Sequence, residues 1–241
     1  MRTAGNRALH WGMRVPRRLL FLGSVVAGAA LYVRGVYRYR DPVRLPAPQP
    51  GAVLSPADGR VLLVRRITDG QVKGYGAVTD LLGWPQAPAA GWLLGLYVGP
   101  LDVQYLYQPV GGEVVRAEFA DGLALQGGTG AGSLGLGARL GLLLGQPAEL
   151  PALGRPRLTF TLRAPAGVEK GTEVTVALPD QGGDAETLNF LRPGDPARVG
   201  NKAAYAEGGG LVLVALPEGT TPQVSVGDHV TGAETVLARL S

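Results

Sequence analysis

The sequence contains few side chains that could carry out covalent or acid–base chemistry. It has no cysteine, which excludes disulfides, thiolate metal sites and cysteine nucleophiles. Only His10 and His229 could supply an imidazole, and they lie in the basic N-terminal region and in a turn, respectively. We therefore expect neither a Ser-His-Asp site nor a histidine-rich metal site, and we predict that no metal is bound.

One glycine-rich segment matches a phosphate-binding pattern letter by letter. Residues 130–135, Gly-Ala-Gly-Ser-Leu-Gly, fit the pattern G-x-G-x-x-G. The segment lacks the acidic residue expected about twenty positions later, and the chain shows no alternation of strands and helices. We interpret it as a loop or a glycine-kinked strand.

Two other features lie in or beside turns. Asp58 belongs to the turn Ser55-Pro-Ala-Asp-Gly59, and three consecutive glycines, residues 208–210, precede an apolar run over residues 211–216. An aspartate in such a turn is often structural, because its carboxylate can accept hydrogen bonds from the turn's backbone. Three glycines before a strand can permit a bulge or close packing. Residue types alone therefore leave structural and functional interpretations open.

The elements that would hold these residues are mostly strands. The chain has 38 glycines and 19 prolines among 241 residues, which is typical of a turn-rich β protein. Residues 91–98 form a strand of buried type, and residues 158–162 and 173–178 alternate with a period of two. These patterns predict a mainly β protein.

Two short sequence patterns, here called phrases, each occur twice along the chain. Leu191–Gly200 and Val224–Gly232 each contain a Gly-Asp pair, which favours a tight turn between strands. A Pro-x-x-Gly-x-Val phrase also occurs twice, from Pro56 and from Pro109. The repeats predict a barrel-sandwich-like domain built from hairpins, similar to lipoyl and biotinyl carrier modules. No lysine stands at a suitable hairpin tip, so we reject a carrier function.

The N-terminal region predicts a short hydrophobic helix that acts as a membrane anchor. Residues 19–33 are uncharged and would span only about 22 Å as a helix, whereas the hydrocarbon core of a bilayer is about 30 Å thick. This length fits either a shallow anchor in one leaflet or a short span with local thinning of the bilayer. A cleaved signal peptide and a buried soluble helix are the alternatives. The anchor residues are Arg17, Arg18, Leu19, Phe21, Val33 and Arg34.

Charge and proline content divide the chain further. Residues 1–50 carry nine arginines and one acid, although the whole chain has a net charge of only +4. A basic N-terminus on an acidic body favours a membrane surface over nucleic acid as the partner. We predict an anchor at residues 1–36, a stiff proline-rich connector at 37–50 and a β domain at 51–241.

Five features occur in order along the chain: Tyr39-Arg-Asp-Pro-Val-Arg44, Ser55-Pro-Ala-Asp-Gly59, Pro100-Leu-Asp-Val103, Pro109-Val-Gly-Gly112 and the two C-terminal repeats. Taken together, they resemble the phosphatidylserine decarboxylase family in its short bacterial type. The resemblance covers residues 17–119 and 186–240 well, and residues 120–185 poorly.

The resemblance implies a cofactor made from the protein's own backbone. Members carry a Gly-Ser pair before the strand that here begins at Leu211; the serine hydroxyl cleaves the chain and leaves a pyruvoyl group. Its ketone is the electron sink when phosphatidylserine loses carbon dioxide. The flanking motifs align Gly209 and Gly210 with this pair. Glycine has no hydroxyl, so we expect no pyruvoyl cofactor.

Other positions of the family mechanism differ as well. The family's acidic residue, which assists self-cleavage, is retained as Asp58, but Gln104 replaces the histidine that follows Leu-Asp-Val. Tyr107 stands where longer members have a second histidine. An amide does not titrate and a phenol titrates at about pH 10, so neither exchanges a proton near neutral pH. The family's Asn-Glu-Arg-Asn segment has no counterpart.

We therefore expect a membrane-associated, non-catalytic family member at a bacterial-type cell membrane, held peripherally or by one short anchor. Its expected ligand is a phospholipid, either phosphatidylserine or phosphatidylethanolamine, and its candidate protein partners are a second copy or an active homologue. Two alternatives stay open. One is an active decarboxylase that converts phosphatidylserine to phosphatidylethanolamine with a displaced nucleophile, such as Ser133. The other is a secreted β-sandwich binding protein.

Overall fold

The structure is a computed structural model that describes residues 17–47, 49–119, 156–165, 172–179 and 186–240. The glycine-rich segment at 130–135, with Ser133, lies outside these residues. The chain divides into two compact units, Met1–Arg38 and Tyr39–Ser241. The predicted boundaries at residues 36 and 50 stay a prediction.

The first unit contains the predicted N-terminal helix. Helix α1, Arg17–Gly35, is two residues longer at each end than the apolar run that predicted it, and a 3₁₀ turn, Tyr37–Tyr39, follows it. Its apolar side chains are exposed, as Phe21 at 72% shows. Across the described ranges, no helix combines the length and the hydropathy that a membrane crossing requires.

The second unit is built from antiparallel strands, which confirms the mainly β prediction. Its described residues also include one short helix, α2 (Val78–Leu82), which the sequence patterns did not predict. The strands in the described residues are β1 Ala52–Leu54, β2 Gly59–Thr68, β3 Gln71–Val72, β4 Gly76–Ala77, β5 Gly91–Val98, β6 Tyr105–Tyr107, β7 Gly112–Phe119, β8 Pro156–Arg163, β9 Glu173–Pro179, β10 Thr187–Asn189, β11 Pro196–Ala197, β12 Lys202–Ala206, β13 Gly210–Pro217, β14 Thr221–Pro222, β15 His229–Val230 and β16 Val236–Arg239.

Strand β13 lies in the middle of the largest sheet, between β9 and β5. The sheet has the order β11-β7-β8-β9-β13-β5-β2-β3-β4. The even-numbered side chains of residues 212–216 pack into one apolar cluster, and the odd-numbered ones of residues 211–215 pack into a second cluster. A strand covered on both faces must be apolar at every position, which explains the unbroken run in the sequence.

Helix α2 covers the second cluster. Its residues Val78, Leu81 and Leu82 are buried against the sheet. Thr159 in β8 donates its hydroxyl to the Leu82 carbonyl oxygen at 2.7 Å, which satisfies one of the carbonyls that a helix end leaves unpaired. The largest sheet therefore carries apolar clusters on both faces.

The two C-terminal repeats dock on the two Pro-x-x-Gly-x-Val phrases by the same hydrogen bonds. In each repeat the glycine N–H donates to a valine carbonyl, and that valine's N–H donates to the carbonyl of the aspartate. The four bonds are Gly194 N to Val114 O at 2.8 Å, Val114 N to Asp195 O at 2.9 Å, Gly227 N to Val61 O at 2.8 Å and Val61 N to Asp228 O at 2.9 Å.

The likeness of the two halves extends into the strands that follow. The register of β2 against β5 shifts between Val61 and Leu63, and that of β7 against β8 shifts between Val114 and Arg116, so a bulge occupies the same place in each half. The repeated phrases of the sequence thus become two copies of one local structure.

Candidate functional site

The three glycines connect β12 to β13 in a backbone conformation that residues other than glycine rarely adopt. The φ angles of Gly208, Gly209 and Gly210 are 83°, 69° and 121°. A Cβ on Gly209 would lie 2.4 Å from the carbonyl oxygen of Val98, which leaves no space for a side chain. This connection is therefore shaped for glycine both by its dihedral angles and, at Gly209, by the neighbouring strand.

Gln104 lies directly against this connection. It is only 1% exposed, and its Oε1 accepts hydrogen bonds from the backbone N–H of Gly208 at 3.1 Å and from the Tyr205 hydroxyl at 3.2 Å. The backbone carbonyl of Gln104 also accepts the N–H of Ala206 at 3.0 Å. The structure thus brings together Gln104 and the triple glycine, which lie about a hundred residues apart in the sequence.

The orientation of the Gln104 amide follows from its partners. A backbone N–H can only donate, so the atom that faces Gly208 must be the oxygen. The Nε2 atom then points elsewhere, and it is buried with no hydrogen-bond partner among the described residues.

Asp58 is held by an ion pair with Arg44 and by a hydrogen bond from a backbone N–H near the C-terminus. Its two carboxylate oxygens each accept a hydrogen bond at 2.7 Å from Nη2 of Arg44, and Oδ1 also accepts the backbone N–H of Gly232 at 2.7 Å. The side chains of Arg44 and Asp58 are only 12% and 16% exposed. The Asp58 carboxylate therefore links its own turn to Arg44, which lies fourteen residues earlier, and to Gly232, which lies 174 residues later.

Tyr107 completes this second group. Its hydroxyl accepts a hydrogen bond from Nε of Arg44 at 3.4 Å, and the Arg44 guanidinium lies 5.6 Å from the centre of the Tyr107 ring. Burial raises the pKa of the Tyr107 phenol above its usual 10.0, although Arg44 opposes the shift. Burial lowers the pKa of Arg44, but hydrogen bonds to Tyr107 and Asp58 outweigh it and the net change is upward. Both groups keep their neutral-pH protonation states.

Residues 39–46, here named the strap, lie along the β domain. Tyr39 stacks on Tyr205 with ring centres 5.9 Å apart, and the Leu45 N–H donates to Glu234 Oε1 at 3.3 Å. Lys202 Nζ donates to Asp41 Oδ2 at 2.5 Å. The hydrogen bond and the charge of Asp41 raise the pKa of Lys202. Together with Arg44, these contacts bind this part of the predicted connector to the domain.

The remaining predicted site residues are the six of the membrane anchor, and they lie in α1. Arg17, Arg18, Leu19, Phe21 and Val33 all lie in α1, with exposed side chains, and Arg34 lies in its last turn. Among the described residues, no cluster of three or more histidines or acids could hold a metal ion.

Sequence reasoning missed Arg44, Asp41, Lys202 and Tyr205. Arg44 and Asp41 stand in one of the motifs that carried the resemblance, which was the available signal for them. Nothing in its local sequence marks Lys202, because its role depends on the strap lying over β12.

Comparisons with known proteins point to a single family. The family model described as phosphatidylserine decarboxylase matches residues 32–140, a range that includes Asp58, Gln104 and Tyr107 but ends before the triple glycine. Individual relatives extend the match over most of the chain.

Three bacterial relatives illustrate this, each called a phosphatidylserine decarboxylase proenzyme. The protein from Gluconobacter oxydans is 29% identical over 98% of this chain and 86% of its own length. The protein from Symbiobacterium thermophilum is 28% identical over 91% and 84%, respectively. The protein from Paraburkholderia phymatum is 25% identical over 84% and 77%. The similarity therefore reaches beyond the residues that the family model matches.

Proposed function

This chain belongs to the phosphatidylserine decarboxylase family, and from that premise we propose that it is a non-catalytic member that associates with membrane phospholipid. The observation that carries the proposal is the backbone at residues 208–210, where three successive glycines have φ angles of 83°, 69° and 121°. Residue 210, the position aligned with the family's serine, has no hydroxyl and a conformation that favours glycine.

The residues at this position do not fit the family's cofactor. A pyruvoyl group made from the backbone takes its ketone from the serine that is cleaved, and Gly210 has no side-chain oxygen to attack the preceding carbonyl. Gly209 cannot substitute, because a Cβ there would lie 2.4 Å from the Val98 carbonyl oxygen. We therefore propose that no pyruvoyl group forms at this connection.

The neighbouring side chains support the same conclusion. Gln104 cannot transfer a proton, and its oxygen is already engaged by Gly208 and Tyr205. The carboxylate of Asp58 accepts three hydrogen bonds from Arg44 and Gly232, so it is occupied in holding the strap. Gln104 and Asp58, which occupy positions of the family's mechanism, each have a structural role in this chain.

Membrane association is supported by the surface of α1. Leu19 and Phe21 are 57% and 72% exposed, although they are large apolar side chains, and Arg17 and Arg18 precede them. Arginines beside exposed apolar residues are typical of helices that lie at an anionic membrane surface. Flotation with anionic vesicles tests this: the wild-type chain should float, and the variant L19S/F21S should float much less.

The intact mass of the purified chain, before and after borohydride reduction in the presence of phosphatidylserine, tests the loss of catalysis. The proposal predicts one uncut chain of 25.0 kDa without a lipid adduct. Two fragments with a reducible adduct on the smaller one would overturn it. Their masses would then locate a nucleophile elsewhere in the chain.

A further inference from the structure

The small sheet β10-β12-β6 carries an apolar patch on its outer face. Leu188, Tyr205 and Tyr105 are opposite one another in the register of the three strands, so their side chains lie on the same face. The ring of Phe190 lies 6.5 Å from the ring of Tyr105, and Tyr39 stacks on Tyr205 with ring centres 5.9 Å apart. These five residues are here named the outer patch.

Three side chains of the outer patch are open to solvent, although the opposite face of the same sheet is buried. Leu188, Phe190 and Tyr39 are 43%, 46% and 52% exposed. Ala204 and Leu106, which lie on the opposite face of β12 and β6, are 0% and 2% exposed. An antiparallel sheet with one face in water normally has polar side chains on that face, so apolar ones there indicate a contact surface.

The outer patch is too small to hold a second copy of the chain by itself. Strands β6 and β10 have three residues each, and β12 has five. Strands lie about 4.8 Å apart and rise about 3.4 Å per residue, so the outer face covers roughly 250 Å². A stable protein–protein interface buries about 800 Å² on each partner. A contact that adds to an existing attachment needs less area, because the first attachment raises the effective concentration for the second.

Helix α1 offers such an attachment close by in the chain. Tyr39 is the fourth residue after Gly35, the last residue of α1. Four residues span at most about 14 Å, so a bilayer that holds the end of α1 is within reach of Tyr39. The outer patch therefore meets a lipid surface without any further partner.

The composition of the outer patch suits the boundary between lipid and water. Tyr39, Tyr105 and Tyr205 each combine an apolar ring with a polar hydroxyl, and tyrosine is enriched at membrane surfaces for that reason. Lys202, which also pairs with Asp41, is 39% exposed, and its Nζ lies 4.3 Å from the centre of the Tyr105 ring. It places a positive charge beside the patch, where lipid phosphates would lie.

We propose that the outer patch is a second membrane contact, through which the β domain itself docks on the lipid surface. The proposal rests on the proposed function, because it needs α1 to hold the chain at a membrane. Leu188 and Phe190 contact the upper part of the acyl chains, and the tyrosines and Lys202 lie at the level of the headgroups. The partner is the lipid surface as a whole, so no particular headgroup is required.

The experiment uses a fluorescent label at one position, which the absence of cysteine in the chain allows. The full chain with Leu188→Cys, labelled with the environment-sensitive dye NBD, is mixed with vesicles of phosphatidylcholine and phosphatidylglycerol. We expect a blue shift of the emission, and quenching by lipids with brominated acyl chains. Val226→Cys places the label at another apolar position, 50% exposed, and should show neither effect.

Substitution of the patch measures how much it contributes to binding. The variant L188S/F190S should bind the same vesicles about tenfold more weakly than the wild-type chain, since two exposed apolar side chains lose their contact with lipid. The variant V226S is the matched control and should bind as the wild-type chain does. Equal urea midpoints of the variants and the wild-type chain would verify that they fold.

Three results would overturn the proposal. The first is unchanged emission at residue 188 in a chain that floats with the vesicles, and the second is an equal shift at residues 188 and 226. The third is a shift at residue 188 that needs no vesicles and grows with protein concentration, which would assign the patch to a second copy.

These outcomes separate the outer patch from the proposed function. Unchanged emission at residue 188 in a floating chain overturns the patch alone and leaves α1 as the anchor. A wild-type chain that does not float overturns the membrane association of the proposed function, and the outer patch with it.

Discussion

Gln104 Oε1 accepts the backbone N–H of Gly208 at 3.1 Å and so ties the loop after β5 to the glycine connection before β13. The same oxygen accepts the Tyr205 hydroxyl at 3.2 Å. The side chain of Gln104 is therefore a structural link, because its one oxygen accepts hydrogen bonds from a backbone donor and from a side-chain donor.

Replacing Gln104 by leucine should destabilise the chain. The change leaves the Gly208 N–H and the Tyr205 hydroxyl without this acceptor, and we expect a loss of about 2 kcal/mol in the free energy of unfolding. Urea denaturation measures it, and hydrogen exchange at Gly208 should accelerate. The control is Gln223→Leu, at an exposed position; equal losses in both variants would contradict the structural link.

Gly209 and Gly208 provide a matched pair for the close approach of β13 to β5. Both have positive φ angles, but a Cβ on Gly208 would meet nothing within 4 Å, whereas one on Gly209 would lie 2.4 Å from the Val98 oxygen. We expect Gly208→Ala to cost about 1 kcal/mol and Gly209→Ala about 3 kcal/mol or more. Denaturant unfolding compares them. Similar losses of stability in the two variants would show that β5 moves away from a side chain at residue 209 without cost.

Gly210→Ser restores the hydroxyl that the family's chemistry needs, but we expect little or no self-cleavage. The residue has a φ of 121°, which strains any side chain, and Gln104 cannot act on the new hydroxyl as a histidine could. Intact mass should show one uncut chain for this variant. The double variant G210S/Q104H adds the histidine as well as the hydroxyl, so its comparison with the single variant separates the two missing groups. Rapid, complete cleavage of the single variant would show that Gln104 is not a second defect.

The Arg44–Asp58 pair should contribute to stability far more than an exposed pair does. Asp58→Ala leaves the largely buried Arg44 charge unpaired and frees Gly232, so we expect a loss of about 3 kcal/mol and faster proteolysis of the strap. Glu173→Ala, which breaks the exposed pair with Arg163, should cost less than about 1 kcal/mol. Comparable losses would mean that water screens Asp58 as fully as Glu173.

Tyr107 should make stability sensitive to alkaline pH. Burial raises its pKa in the folded chain above the usual 10.0, so the stability that its protonated form contributes is complete below the unfolded pKa and is lost as pH rises through the folded one. The urea midpoint should fall above about pH 10. Lys202, whose pKa is also raised, contributes in the same direction. Tyr107→Phe should flatten this fall, and an unchanged slope would exclude Tyr107 as its source.

The sequence predicts the parts of this protein that local chemistry determines. Gly194 and Gly227 mark turns because few other residues adopt their φ angles, and the unbroken apolar run of β13 indicates a strand covered on both faces. The resemblance brought Gln104 and Gly210 forward as positions of interest. Those predictions needed only neighbouring residues or ordered motifs.

The ion pairs of the strap could not be predicted in the same way. Arg44 and Asp58 are only fourteen residues apart, but their pairing depends on the strap's folding back along the domain, and Gly232 joins them from the far end of the chain. Lys202 meets Asp41 across 161 positions. Such contacts arise only in the packed tertiary structure. The local sequence around a polar side chain in a turn or connector does not predict them.

The pairing of the last strands with earlier ones has a consequence for any version of this chain that is cut before β13. Every strand after the cut that pairs with an earlier strand, namely β13 with β5 and β9, β15 with β2, and β16 with β1, would keep its partner in the other fragment. The two fragments would remain interlocked as one non-covalent species in native gel filtration. Denaturant would separate them, so a Gly210 variant that cleaves itself would look intact until it is unfolded.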